Sequence, residues 1–127
     1  NPQHPWAMLR QAPRPQIREE NLIIYNHAST THQLVERHFA GLGVTLRIGM
    51  ELESMEAIKE MVKVGIGVSI LPQWVARREN ETQALVAVAL GAGKLRRKWG
   101  LAYRRTHALS LQEETFTGLC QMAAANL

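Results

Sequence analysis

Apolar residues along this chain follow different patterns, and several of these patterns predict strands. Residues 22–25 form a continuous apolar run, which is typical of a strand covered on both faces. Residues 44–52 instead alternate apolar and polar side chains, which predicts a strand with one exposed face. Further apolar stretches predict strands at residues 68–71, 85–90 and 99–104, with a loop at residues 91–98.

Helix signals separate these strands. Thr30 and Gln33 match a capping box, in which each side chain accepts a backbone N–H from the other residue, and a helically spaced apolar stripe follows as far as Gly41. Ser110 and Glu113 form a second capping box, which predicts a terminal helix with one apolar face. That face comprises Phe116, Leu119, Cys120, Ala123 and Leu127.

The second predicted helix begins after Ser54, a favourable N-cap residue. Its spacing predicts an inward stripe and an outward face. The inward stripe is Ile58, Met61, Val62 and Gly65, and the outward face is Lys59, Glu60 and Lys63. Pro72 then leads into a short third helix through Trp74 and Val75.

Strands and helices therefore alternate along most of the chain, which predicts an α/β fold with a mostly parallel sheet. In such sheets ligands bind beyond the carboxyl ends of the strands, near helix N-termini. We therefore expect any binding site at residues 25–29 and 52–54. The first twenty residues contain four prolines, at positions 2, 5, 13 and 15, and these predict an extended arm.

Composition narrows the class of protein without naming a function. The 127 residues, of which 46% are apolar and 20% charged, suit one domain or one large lobe, and the start at Asn1 suggests a piece of a longer protein. No apolar run approaches the roughly 18 residues of a membrane span, and no secretion signal is evident. Cys120 is the single cysteine, which suits a reducing cytosol, and we expect its thiol to be buried and inert. We therefore expect a cytoplasmic protein that does not engage membranes.

The net charge of +4 is unevenly distributed. Residues 77–105 carry eight Lys and Arg against two Glu, whereas residues 1–76 carry seven basic and seven acidic residues. A basic cluster can attract phosphates, but no aromatic residues interleave with Lys94–Lys98 to stack on bases. We interpret the cluster as a solvated loop and expect this chain to bind no DNA sequence specifically.

Patterns for catalysis or metal binding are weak. His27, His32 and His38 are spaced five and six residues apart, which misses the i, i+4 spacing of helical metal ligands. Ser69 lies in the stretch Gly67–Leu71, which lacks the second glycine of a nucleophile elbow. We therefore expect no metal, no cofactor and no enzymatic activity.

Two short sequence motifs lie one after the other in the middle of the chain. Glu51–Lys59 reads ELESMEAIK, and Gly65–Pro72 reads GIGVSILP. These motifs resemble the ES-x-EAI helix start and the G-x-G-I-x-x-L-P segment of the effector-binding domain of LysR-type transcriptional regulators. His4–Ala7 is similar to the crossover segment of that family and Trp99–Arg104 to its late strand. The resemblance extends from about His4 to Ala123.

The resemblance implies one lobe of a type II periplasmic-binding-protein-like fold, with a small-molecule effector in the cleft between two lobes. It implies three parts in this chain: a crossover arm at 1–20, the second lobe at 21–105, and a C-terminal helix at 106–127 that returns to a first lobe outside the chain. It also implies a DNA-binding winged helix-turn-helix outside this chain, and self-association as a homodimer or larger oligomer.

One departure from the family concerns the ligand. The family's G-S-G-T turn is replaced here by Ala28-Ser29-Thr30-Thr31, so a bulkier loop leaves less room for an effector. Helix N-termini favour an anion such as a metabolite carboxylate. The candidate effector-binding residues are Asn26, His27, Ser29, Thr31, Glu53, Ser54 and Met55.

Simpler roles remain open for several of these residues. Ser29 and Ser54 could serve only as helix caps, and Glu53 could be a solvated loop acid instead of a hydrogen-bond acceptor in the cleft. Two other classes of protein also remain open: a periplasmic-type solute-binding protein of the same fold, and, less favoured, an enzyme domain. The leading hypothesis is the ligand-sensing part of a LysR-type regulator.

Overall fold

The computed structural model describes residues 1–91, 95–98, 100–106 and 108–125. The chain divides into two compact units, Asn1–Arg96 and Arg97–Leu127. The first unit contains two 3-10 helices, Pro5–Met8 and Arg14–Glu19, followed by β1 (Leu22–Tyr25), α1 (Thr30–Ala40), β2 (Ile48–Leu52), α2 (Met55–Lys63) and α3 (Arg77–Glu81). The second unit contains α4 (Leu111–Ala125).

The sheet of the first unit is parallel. β1 pairs with β2 in the register Ile24 with Glu51 and Tyr25 with Leu52, so both strands end at the same edge. On its other side β1 forms a parallel bridge with Val68, whose N–H donates to the Asn21 carbonyl at 3.0 Å. The predicted α/β class with parallel pairing is confirmed for this unit.

Alternate side chains of β1 enter two different core clusters, as expected for a strand covered on both faces. Leu22 and Ile24 pack in one cluster with Val35 and Phe39 of α1. Ile23 packs in the other cluster with Ile58 and Val62 of α2, and with Leu85. Because successive strand residues point to opposite faces, this one short strand binds a helix on each side.

The N-terminal arm corrects one prediction. Instead of remaining extended, residues 5–8 and 14–19 form 3-10 helices, each with a proline in its first turn. Proline is tolerated there because its missing N–H would have no helical partner and its φ angle already suits a helix. The arm also contributes buried Trp6, Ala12 and Ile17 to the first core cluster.

Three details of the predicted helices are wrong. The N-cap of α1 is Ser29 and not Thr30, since the Ser29 hydroxyl accepts the His32 N–H at 3.0 Å. Lys59, predicted to face solvent, is 5% exposed, because residues 75–79 fold over it and supply acceptors for its ammonium group. Gly65, predicted to lie in the inward stripe, instead follows α2 with a left-handed φ of +82°. Ser54 caps α2 as predicted.

The later predicted strands are only partly formed. Residues 68–71 and 85–90 each make one parallel bridge, Val68 with Leu22 and Ala89 with Gln11, and residues 100–104 lie in no strand. The third helix begins at Arg77, after a turn that includes Trp74 and Val75. Residues 92–94 of the predicted 91–98 loop, the start of the last predicted strand at residue 99 and Leu127 lie outside the described residues.

The second unit confirms its capping box. The Ser110 N–H donates to the Glu113 carboxylate at 2.8 Å, and the Glu113 N–H donates to the Ser110 hydroxyl at 3.4 Å. The apolar side chains of α4 are largely exposed, with Phe116 at 60% and Leu119 at 59%. Cys120 is half-buried on this helix and not fully buried as predicted, and the other described α4 side chains are likewise half-buried or exposed.

Candidate functional site

The candidate site lies at the edge of the sheet where β1 and β2 both end. The Asn26 N–H continues the pairing by donating to the Leu52 carbonyl at 3.1 Å. The chain then leaves β1 towards α1 and leaves β2 towards α2. The parallel register therefore brings the loops before both helices to one edge of the sheet, as the sequence predicted.

The loop after β1 is a tight turn. The Ser29 N–H donates to the Asn26 carbonyl at 3.0 Å, and the Ser29 hydroxyl then caps α1. Because its hydroxyl accepts the His32 N–H, one Ser29 lone pair is committed to the cap while the hydroxyl proton is free to reorient. A capping role and a contact with a ligand are therefore compatible for this residue.

The loop after β2 is shorter and more open. Ser54 caps α2 by accepting the Ala57 N–H at 3.3 Å, and both Glu53 and Ser54 are exposed. Met55 begins the helix and is half-buried. The first-turn N–H groups of an α-helix have no intrahelical acceptor and carry the positive end of its dipole, so this edge favours an anion.

A pair of residues links the two loops. The carboxylate of Glu51, near the end of β2, accepts the His27 backbone N–H at 3.0 Å and lies 3.2 Å from His27 Nδ1. The hydrogen bond from the His27 backbone N–H is the main reason that the pKa of the Glu51 carboxyl is lowered, and the His27 ring adds to the effect. This contact ties the loop after β1 to the end of β2 while leaving the His27 side chain 82% exposed.

His32 contacts Tyr25 at the end of β1, just before the same loop. Its side chain is 2% exposed, and Nδ1 lies 2.8 Å from the Tyr25 carbonyl. Because a carbonyl oxygen only accepts hydrogen bonds, Nδ1 carries a proton in this contact. His32 Nε2 lies 3.3 Å from the Glu36 carboxylate. His32 therefore positions the end of β1 instead of binding a ligand directly.

The structure places six of the seven predicted residues at least partly at the surface of this edge. His27, Glu53 and Ser54 are exposed, and Asn26, Ser29 and Met55 are half-buried. Thr31 differs, because its side chain is 8% exposed in the first turn of α1. Within a ligand site, Thr31 would therefore contribute mainly through the helix terminus it belongs to.

Sequence reasoning missed Glu51 and assigned His32 no role at this edge. The alternation at residues 44–52 predicts that Glu51 lies on the polar face of its strand, and nothing local indicates that His27 lies 3.2 Å away. The sequence did carry one signal for Glu51, since this residue lies one position before the carboxyl end of the predicted strand. His32 carried a weaker signal, an imidazole three residues after a capping serine in a helix with few other polar buried side chains.

Metal clusters and membrane spans are both absent from the described part of the chain. Among the described residues, no group of three or more His, Cys or Glu side chains could hold a metal ion. No helix within the described ranges is both long enough and apolar enough to cross a membrane.

Comparisons with known proteins agree with this geometry. Residues 1–125 match the LysR substrate binding domain family. Among solved structures, the effector binding domain of QuiR in complex with shikimate superimposes with a TM-score of 0.73 over 98% of this chain and 58% of that chain, at 17% identity. At that identity the likeness concerns the fold alone, which is the periplasmic-binding-protein-like fold that the motifs implied.

Curated relatives are transcriptional regulators. The chain is 33% identical over 126 residues to the RuBisCO operon transcriptional regulator of Allochromatium vinosum, covering 99% of this chain and 42% of that protein. It is 29% identical over 114 residues to the HTH-type transcriptional activator CmpR of Synechocystis sp., covering 90% and 38%. The chain thus spans about two fifths of the length of these relatives. The family and these relatives confirm the expectation of a regulator domain and not an enzyme: this chain belongs to the LysR substrate binding domain family.

Proposed function

We propose that this chain is the ligand-sensing lobe of a LysR-type transcriptional regulator that acts in the cytoplasm. The observation that carries the proposal is the parallel pairing of β1 and β2, which brings two serine-capped helix N-termini to one edge of the sheet. Such termini bind carboxylates and phosphates through their backbone N–H groups. The ligand is then a small anionic metabolite that binds at the seven residues predicted from the sequence. Among them Glu53 lies beside the carboxylate and weakens its binding, while Glu51 positions His27.

The related regulators support the regulatory role, and the ligand of the structural neighbour supports the ligand class. QuiR is described in complex with shikimate, a small carboxylate, and the relatives are regulators of transcription. DNA binding is assigned to a helix-turn-helix part outside these residues. A first lobe, also outside them, supplies the opposite wall of the cleft and packs on the C-terminal helix.

Titration with shikimate as a probe tests the site. We expect amide shifts in NMR spectra at residues 26–31 and 53–57, with weak affinity because only one wall of the cleft is present. Replacing Glu53 with Gln removes a negative charge beside the bound carboxylate, so Glu53→Gln binds the probe roughly two- to fivefold more tightly. Glu19→Gln is the matched control, since it makes the same charge change on the exposed arm and leaves affinity unchanged.

Two outcomes contradict the proposal. Shifts that cluster at residues 95–98 would place anion binding in the basic segment and not at the ends of β1 and β2. Equal tightening by Glu19→Gln and Glu53→Gln would show that net charge and not a local contact controls the affinity.

Self-association forms the second part of the proposal. The exposed apolar residues of α4, with Phe116 and Met122 more than half exposed, favour association between copies when no other lobe covers them. We expect sedimentation at tens of micromolar to show a homodimer or larger species. Phe116→Glu shifts the population towards monomer, whereas Gln121→Glu, also exposed on α4, does not. A strictly monomeric wild-type chain would contradict this part.

A further inference from the structure

A cavity of about 420 Å³ lies between α2, α3 and residues 85–88, and none of the seven candidate effector residues lines it. Its walls come from α2, from residues 69–73, from α3 with the preceding Ala76, and from residues 85–88. Small-molecule sites in proteins typically have volumes of about 300–1,000 Å³. The cavity therefore has the capacity for a metabolite, and it belongs entirely to the first unit.

Apolar side chains form much of the lining. Val62 and Leu85 are 9% and 7% exposed, and Leu71 and Val88 complete this part of the wall. Ser69 also lines the cavity, and its hydroxyl oxygen is buried without a hydrogen-bond partner in the described part of the chain. A buried polar atom without a partner is costly, so a polar group of a ligand would be favoured beside it.

Lys59 borders the cavity but does not offer it a free charge. Its ammonium nitrogen lies 2.8 Å from the Glu79 carboxylate, 2.9 Å from the Glu56 carboxylate and 3.3 Å from the Val75 carbonyl. An ammonium group has three donors, and three acceptors surround this one. The charges available to a ligand must therefore come from other residues.

Arg77 and Glu81 provide two such charges. They lie one helical turn apart on α3, both are exposed, and both line the cavity. Neither takes part in an ion pair within the described residues. Side chains at i and i+4 of a helix are neighbours, about 5–6 Å apart at Cβ, so one small head group can contact both.

We propose that this cavity binds a small apolar α-amino acid. The guanidinium of Arg77 receives the α-carboxylate, Glu81 receives the α-ammonium group, and the side chain packs on Leu71 and Leu85. A ligand with a carboxylate alone would be repelled by Glu81, and a ligand with an amine alone would be repelled by Arg77. A zwitterion satisfies both charges, and the apolar wall selects its side chain.

L-Leucine is the probe, and two analogues each keep one of its charges: 4-methylpentanoate has only the carboxylate and 3-methylbutylamine only the amine. We expect leucine to shift the amides of residues 69–71, 73 and 85–88 and to bind roughly tenfold more tightly than either analogue, since each lacks one charge-assisted contact. Arg77→Gln and Glu81→Gln each weaken leucine binding by a factor of about five to ten. Arg78→Gln, the next residue on the same exposed helix and not part of the lining, leaves it unchanged.

The proposal is overturned if leucine causes no shifts at those residues at concentrations up to about 10 mM, roughly ten times a millimolar Kd. It is also overturned if 4-methylpentanoate binds as tightly as leucine, or if Arg78→Gln weakens binding as much as Arg77→Gln. Shikimate shifts at residues 26–31 and 53–57 report on the effector site separately, so either site can fail while the other stands.

Discussion

Replacing Lys59 with Met lowers the melting temperature of this chain by roughly 8 °C or more, because the largely buried Glu79 carboxylate loses its hydrogen-bonded cation at 2.8 Å and keeps only the more distant Lys63 at 3.9 Å. The Glu79 side chain is 12% exposed, and its Oε2 atom already has no hydrogen-bond partner in the described part of the chain. Met keeps the length of the lysine stem, so the loss comes mainly from the charge and its hydrogen bonds.

Lys63→Met is the matched control. Lys63 lies on the same helix, but its side chain is 28% exposed and its main partner is the exposed Glu60 carboxylate at 2.7 Å, with Glu79 at 3.9 Å. Exposed pairs of this kind contribute little, so Lys63→Met lowers the melting temperature by no more than about 2–3 °C. Equal effects of Lys59→Met and Lys63→Met would contradict the assigned role of Lys59.

The Lys59–Glu79 ion pair also predicts how the stability of this chain depends on pH. The hydrogen bond from Lys59 holds the pKa of the Glu79 carboxyl below its ordinary value, and the hydrogen bond to Glu79 raises the pKa of the Lys59 ammonium. A lowered carboxyl pKa contributes stability above its ordinary value and loses it as pH falls through the folded value. A raised lysine pKa contributes stability below its ordinary value and loses it as pH rises through the folded value.

The pair therefore contributes fully between the ordinary values of about 4.5 and 10.5. The difference in melting temperature between wild type and Lys59→Met is greatest in this window and shrinks as the pH falls below about 4.5. A difference that stays constant from pH 7 to pH 3 would show that the loss arises from packing and not from the charge.

Gly67→Ala is expected to destabilise the first unit by about 2–3 kcal/mol, at the upper end of the range for overpacking. A Cβ atom at residue 67 would overlap the backbone oxygen of Asn21 and lie 3.2 Å from its carbonyl carbon. That oxygen accepts the Val68 N–H in the bridge beside β1, so relief of the overlap requires the two chain segments to separate. Urea denaturation with a constant m-value measures the change.

Gly49→Ala offers a graded comparison at the neighbouring site. A Cβ atom at residue 49 would overlap the Asn21 side chain, which can rotate away. Rotation gives up the hydrogen bond from Asn21 Nδ2 to the Ile66 carbonyl at 2.9 Å, so the expected cost is about 1 kcal/mol. Gly100→Ala, with nothing within 4 Å of the added Cβ, should change stability by less than about 0.5 kcal/mol.

Coupling between the two positions sharpens the test. In the Asn21→Ala background the side chain that Gly49→Ala would meet is gone, so the double variant should be about as stable as Asn21→Ala alone. The cost of Gly67→Ala should persist in that background, because it arises from the backbone of residue 21. The first assignment is contradicted if Gly49→Ala costs as much stability in the Asn21→Ala background as in the wild type. The second is contradicted if Asn21→Ala removes the cost of Gly67→Ala.

Local patterns in the sequence predicted the parts of this protein that depend on near neighbours. The apolar run at residues 22–25, the alternation before residue 52 and the caps at Ser54 and Ser110 each act over a few residues, and each corresponds to an observed element or cap. The alternation of strands and helices predicted a parallel sheet, and in a parallel sheet the ends of β1 and β2 lie at the same edge. The location proposed for the effector site follows from the sequence alone.

Only the tertiary structure decided the features that need a distant partner. Lys59 sits on the polar side of its helix by spacing, yet it is buried because Glu79, twenty residues later, supplies the opposite charge. Residues 68–71 and 85–90 have apolar strand patterns. A strand, however, requires hydrogen-bonding partners along its length, and each of these segments forms only one bridge within the described residues. Glu51 joins His27 for the same reason, since pairing of β1 with β2 and not any local pattern sets the 3.2 Å between their side chains.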